Sequence, residues 1–184
     1  MEYFDVVDEN GIPTGEIVAR NEAHANGIAH RTSHVWIMRK KDNRLQILLQ
    51  KRCKDKDSYP GYYDISSAGH IPSGDDFAES AIRELKEELG VDISAEKLVD
   101  CGLIRIRFDE VFHGKEFHDR QVARVYLLFL DMEENEFIVQ KEEIDCVNWM
   151  DFEECKNAVK ENTIPNCILI EELNMLEENI SREL

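Results

Sequence analysis

The clearest hydrophobic pattern runs over residues 76–89. Ala78, Ala81, Ile82, Leu85 and Leu89 recur at helical spacing and form one apolar stripe. Asp76 stands at the cap position with Glu79 three residues on, and Gly90 follows where a helix stops. Strand-like apolar runs occupy 34–38, 44–50, 103–108, 122–130 and 146–149, with a shorter extended stretch at 64–70. Residues 1–18 read as two short strands around the Asn10-Gly11 turn signal. Residues 20–29 read as a turn or short helix, 51–61 as a charged loop, and 151–161 and 168–179 as helices. Strands followed by terminal helices predict an α+β layered domain over 1–184, with N-terminal strands in 1–20 and C-terminal helices in 151–184.

Composition narrows the partners. The chain has 184 residues, 42% hydrophobic, enough for a sizeable core. Its formal charge is −17, which predicts repulsion from nucleic acid polymers and anionic membranes. The longest purely apolar run, 125–130, is far short of a membrane span of about 20 residues. The acidic opening, Met1-Glu2-Tyr3-Phe4-Asp5, lacks the order of a signal peptide. Cys53, Cys101, Cys146, Cys155 and Cys167 are odd in number and widely spaced, with no CxxC pair. Together these predict a cytoplasmic protein with reduced thiols.

The helix over 76–89 also carries chemistry. Arg83, Glu84, Glu87 and Glu88 fall on the face opposite the apolar stripe, which predicts solvent-facing positions for Glu87 and Glu88. Glu84 with Glu87 is an i, i+3 pair and Glu84 with Glu88 an i, i+4 pair, so the three carboxylates can converge. Like charges so placed repel, and a hard divalent cation relieves the repulsion. A solvated acidic face is the alternative for three glutamates taken alone.

The surrounding segment decides between them. Gly69-His70-Ile71-Pro72-Ser73-Gly74-Asp75, then seven residues, then Arg83-Glu84-Leu85-Lys86-Glu87-Glu88-Leu89-Gly90-Val91 closely resembles the Nudix box, G-x5-E-x7-R-E-U-x-E-E-x-G-U, over 69–91. One defining position departs: Asp75 stands where the family has Glu. The resemblance implies an α/β/α sandwich with a mixed central sheet and a loop–helix–loop that holds Mg²⁺ or Mn²⁺ on a small-molecule diphosphate. It implies Glu84, Glu87 and Glu88 as metal ligands and catalytic groups, with the Gly69 carbonyl as a further contact. Arg83 would brace the loop through Asp75, whose shorter side chain puts rate in doubt more than metal binding. The base that takes the water proton varies among Nudix enzymes. Glu84 is one candidate, and Glu142 or Glu143, in a loop where relatives often place an acid, is another. Many relatives are homodimers.

The resemblance extends beyond the box. Tyr3-Phe4-Asp5-Val6-Val7-Asp8, Gly15, Arg20, His24, His30-Arg31-Thr32-Ser33-His34-Val35-Trp36, Leu49-Gln50-Lys51-Arg52, Lys56-Asp57-Ser58-Tyr59-Pro60-Gly61 and Ser66-Ser67-Ala68-Gly69-His70 look like the branch related to isopentenyl-diphosphate isomerase. That enzyme uses a Cys where this chain has Ala68, and a Glu where alignment places Gln121. Alanine cannot donate a proton, so hydrolysis is the expected chemistry. The resemblance makes Arg52, Lys56 and His70 substrate contacts, with a solvated basic loop as the alternative for the first two. His24, His30 and His70 resemble three metal-binding histidines of the isomerase, with the first two spaced one residue closer here, and could equally be hydrogen-bonding scaffold or substrate contacts. Trp36 is expected in the core. The expected function is a divalent-metal-dependent hydrolase of a nucleoside diphosphate derivative or related organic diphosphate. The competing readings are a binding or regulatory module without turnover, and isomerase-like chemistry.

Overall fold

The computed structural model describes residues 2–56, 58–112 and 114–183. Met1, Asp57 and Leu184 of the sequence reading lie outside them. Strands β1 (Tyr3–Val7) and β2 (Pro13–Ala19) form a two-stranded antiparallel sheet. The Asp8 carboxylate organises the turn between them, accepting the Asn10 and Ile12 N–H groups at 2.8 and 2.9 Å. Helix α1 (Arg20–Asn26) follows and leads to β3 (His30–Lys41).

Strand β3 is the hinge of the main sheet. One edge runs parallel to β8 (Lys115–Phe129), with His30 to Met38 matched to Gln121 to Phe129. Its other edge is shared. Thr32 to Val35 pair with β6 (Ser67–His70), and Met38 to Lys41 pair with β4 (Arg44–Arg52). Strand β4 also pairs with β5 (Tyr63–Asp64) and β9 (Ile144–Asp151), and β7 (Val99–Phe112) closes the far side against β8. Among the described residues the result is a mixed seven-stranded sheet.

Period-two alternation along β3 divides the core. Val35 and Ile37 face α2 (Phe77–Leu89), where they meet Ala81, Leu85 and Leu89. Trp36 and Met38 face the opposite side, toward α3 (Phe152–Lys160) and α4 (Ile170–Glu183), where they meet Phe152, Leu173 and Leu176. The sheet is therefore sandwiched between helices, as the resemblance implies. Helix α2 is bounded as its sequence predicts. Asp76 accepts the Ala78 N–H at 2.8 Å, and Gly90 takes the left-handed conformation (φ 69°) at the C-terminus.

The strand boundaries differ from the sequence reading. The β7–β8 hairpin extends well past 103–108 and 122–130, because alternate positions of this edge strand face water and carry no apolar mark. Strand β3 begins at His30, not residue 34. Its first four residues are polar yet buried, since they belong to an interior polar cluster. The stretch 64–70 is split into β5 and β6, and α4 extends past 179 to Glu183. The five cysteines are free. Among the described residues, no helix is long and apolar enough to cross a membrane.

Candidate active site

The loop from β6 to α2 is held from both ends. Asp5, on β1, accepts from the Ser73 hydroxyl at 2.6 Å and the Gly74 N–H at 3.1 Å. Arg31, on β3, donates one nitrogen to Asp5 at 2.7 Å and to the Asp75 carbonyl at 3.0 Å. Burial pushes the Asp5 carboxyl up, but Ser73, Gly74 and Arg31 together hold it below its ordinary value. Inside the loop, Arg83 reaches back to Asp75 at 2.8 Å, to the His70 carbonyl at 3.5 Å and to Glu84 at 3.3 Å. The shorter Asp75 thus makes the contact that the box assigns to Glu.

Glu84 and Glu88 are turned toward strand β6. The Glu84 side chain lies on the Gly69 backbone, where a Cβ at residue 69 would sit 2.6 Å from Glu84 Oε1 and nearer still to its carbons. Glycine at 69 is therefore a condition of this placement. Glu88 is buried, and its Oε2 accepts from the Ser67 hydroxyl at 2.7 Å and the Ala68 N–H at 3.3 Å. Burial, with help from the neighbouring Glu84, pushes the Glu88 carboxyl up to about 7 against the pull of Ser67. Burial also raises Glu84. Glu87 alone of the three is exposed.

This corrects the expectation that Glu88 faces solvent. It follows Leu85 by three residues, so it borders the apolar stripe, and two donors on β6 receive it. The three carboxylates also do not gather at one point in this side-chain arrangement. Among the described residues, the ligand atoms that all lie within 4.8 Å of one another belong to His24, His30 and His70.

A second acid reaches the same helix end. The chain beyond β8 docks on α2 through Ile138 N–H to Leu89 O (3.0 Å) and Gln140 N–H to Glu88 O (2.9 Å). That sets Glu143, whose carbonyl accepts the Cys53 N–H at 3.0 Å and whose carboxylate pairs with Lys56. Burial lowers the Lys56 ammonium, assisted by Arg52 and opposed by the charge of Glu88. Glu142 is exposed. Arg52 is engaged locally: it donates to the Ser58 carbonyl and hydroxyl at 3.0–3.1 Å and to Asp64 at 2.9 Å, which braces the loop.

The histidines form a separate cluster on the other face of β6. Phe4 stacks against both His30 and His70 at 4.9 Å, and His24 meets both rings edge-on. Asp119, from β8, points Oδ1 at His24 Nε2 (3.9 Å) and His30 Nε2 (3.8 Å). These three atoms and His70 Nε2 are buried without a hydrogen-bond partner among the described residues. Burial pushes His24 down to about 4, His70 well below its usual range and Asp119 up to about 6. Three neutral imidazoles and an unsatisfied carboxylate oxygen are a cation-type donor set.

Three contributors were missed as functional residues by sequence reasoning. Asp5 and Arg31 fall within the segments that carry the wider resemblance, and Asp119 stands outside them. Nothing local marks them, because their partners lie across the sheet. Ala68 lies opposite His34 in the β3–β6 register, and the Gln121 side chain is hydrogen-bonded to Thr32 and Asp119. Trp36 is fully buried, as expected.

Comparison with known proteins shows the family. The NUDIX domain family matches residues 29–167. A Nudix hydrolase of Arabidopsis thaliana is 41% identical over 165 residues, covering 85% of this chain, and the chain spans 20% of that protein's length. An uncharacterized Nudix hydrolase of Clostridium acetobutylicum is 35% identical over 143 residues, 78% of this chain and 66% of its own. The crystal structure of DR0079 from Deinococcus radiodurans superimposes with a TM-score of 0.68 at 20% identity, covering 94% of this chain and 98% of that one. With the box, its loop anchors and the sandwich fold in place, the chain belongs to the Nudix family.

Proposed function

We propose that the chain is a divalent-cation-dependent hydrolase that cleaves a diphosphate linkage in a nucleoside diphosphate derivative or a related organic diphosphate. One observation carries this reading. Glu84 and Glu88 are drawn off the water-facing side of α2 and set against Gly69, Ser67 and Ala68, which raises both carboxyls. A helix that needed only a solvated acidic face gains nothing from burying them. A hard cation suits such a donor set, with Glu87 and the Gly69 carbonyl as further oxygens.

Nudix proteins generally use divalent cations. Bound here, Mg²⁺ or Mn²⁺ would neutralise phosphoryl oxygens and make a water more acidic. The chain's own groups do the rest. Arg83 and Asp75 hold the loop against α2. Lys56 offers positive charge to the diphosphate, and Glu143, fixed beside it, is positioned to take a proton from water. Arg52 keeps the Lys56 loop folded. The histidine cluster supports a second reading. Its orphaned nitrogens and the free Asp119 oxygen suit a separate cation of the borderline class that prefers imidazole.

The test is a panel of nucleoside and isoprenoid diphosphates with Mg²⁺ and with Mn²⁺, scored for phosphate or monophosphate release. Metal-dependent release on one substrate class supports the proposal. No release across the panel, with the substrates bound, supports a binding module instead.

A further inference from the structure

A buried polar chain connects the C-terminal helix to the histidine cluster, and the box chemistry does not use it. Glu172, on α4, is fully buried. Its Oε2 accepts the Trp36 indole N–H at 2.8 Å and its Oε1 meets His34 Nδ1 at 2.9 Å. His34 Nε2 meets the Thr32 hydroxyl at 3.4 Å. Thr32 donates to Gln121 Oε1 at 3.0 Å, and Gln121 Nε2 donates to Asp119 Oδ2 at 2.6 Å.

The bonds have a forced direction. A carboxylate only accepts, so Asp119 Oδ2 takes the Gln121 amide nitrogen and Gln121 presents its oxygen to Thr32. The Thr32 hydroxyl gives its one proton to that oxygen, so toward His34 it can only accept. His34 therefore donates from both ring nitrogens, one to Thr32 and one to Glu172. A ring that donates twice is an imidazolium, and the carboxylate partner it requires is Glu172. At the far end, Asp119 is held through Oδ2 and keeps Oδ1 free, facing His24 and His30.

We infer that Glu172 is a positioning residue for the histidine cluster, acting through His34, Thr32 and Gln121 to fix which oxygen of Asp119 faces His24 and His30. This rests on the reading of the cluster as a cation site. Glu172→Gln removes the charge that holds His34 doubly protonated. A neutral His34 that still donates to residue 172 turns an accepting nitrogen to Thr32. The hydroxyl then donates to His34, and Gln121 loses its fixed partner. Thr32→Val cuts the same chain while keeping side-chain shape and leaving the Glu172 pair intact.

Co²⁺ titration of the full chain, followed by its visible spectrum, tests this. His24→Asn identifies the signal that belongs to the cluster. The wild type is expected to bind Co²⁺ there. Glu172→Gln and Thr32→Val should each weaken binding by about tenfold or more, as supporting-residue changes at metal sites do. The double variant should be no weaker than the worse single one, because both break one serial chain. Thr32→Val serves alone if Glu172→Gln does not fold. Absence of a histidine-dependent signal in the wild type would overturn the cation reading and this inference with it. A wild-type signal unchanged in the variants, or losses that add, would overturn the positioning role alone.

Discussion

Glu84 lies across the backbone of Gly69, close enough that any side chain at 69 would displace it. The contact joins the first residue of the box to one of its acids across fifteen positions of sequence. Gly69→Ala should therefore remove activity without unfolding the protein, because the displaced group is the free end of a flexible side chain. A kcat reduced by about a hundredfold or more, with an unaltered circular dichroism spectrum, is the expected result. Near-wild-type kcat would show that Glu84 does not work from this position.

Arg83 is about a third exposed and Asp75 rather more, so their pair contributes little to stability, under about 1 kcal/mol. Its role is to shape the loop. Asp75→Ala should lower kcat by about tenfold or more while shifting Tm by less than about 3 °C. Asp75→Glu should retain activity. Kinetics and melting curves of the two variants, taken together, check this.

Glu143 pairs with Lys56 beside the end of α2, whereas Glu142 faces water. Glu143→Gln should lower kcat by about a hundredfold or more, and Glu142→Gln should leave it within about twofold. The reverse ranking would move the base to Glu142. Equal, small effects would leave Glu84 as the base.

His34 gives a pH dependence of known sign. Burial pulls its pKa down, but the charge and hydrogen bond of Glu172 outweigh this and hold it above 6.5. The folded state therefore keeps a proton that the unfolded state releases above about 6.5. The stabilisation is complete below that pH and is lost as pH rises through the folded pKa. The stability difference between wild type and Glu172→Gln should accordingly shrink as pH rises. Urea unfolding followed by tryptophan fluorescence, at several pH values above 6, measures it. A difference that stays constant with pH would mean that His34 is neutral in the folded protein.

Much of the box was legible because its information is local. Helix α2 announces itself through its apolar stripe, the Asp76 cap and the Gly90 stop. The burial of Glu88 was not legible. Periodicity places it beside the stripe, but Ser67 and Ala68 turn it inward, and they reach it only because β6 pairs with β3. The histidines show the same limit. His30 and His70 meet because Thr32 and His70 are register partners, and Asp119 joins them from a hairpin whose polar alternation hid its length. Loop anchors such as Asp5 and Arg31 carry no pattern of their own.

The central claim is that the acids of α2 hold a divalent cation, and a thermal scan with Mg²⁺ tests it most directly. A cation that binds only the folded helix and loop stabilises them by RT ln(1 + [L]/Kd), about 2.7 kcal/mol at a hundredfold excess over Kd. For a chain of this size that corresponds to roughly 5–10 °C. Mg²⁺ prefers oxygen ligands, so the histidine cluster contributes little to the response. The scan compares wild type with Glu84→Gln/Glu88→Gln, each with and without millimolar Mg²⁺. The account predicts a clear rise in Tm for the wild type and a much smaller one for the double variant. An equal rise in both proteins would place the cation on the general acidic surface and contradict the assignment.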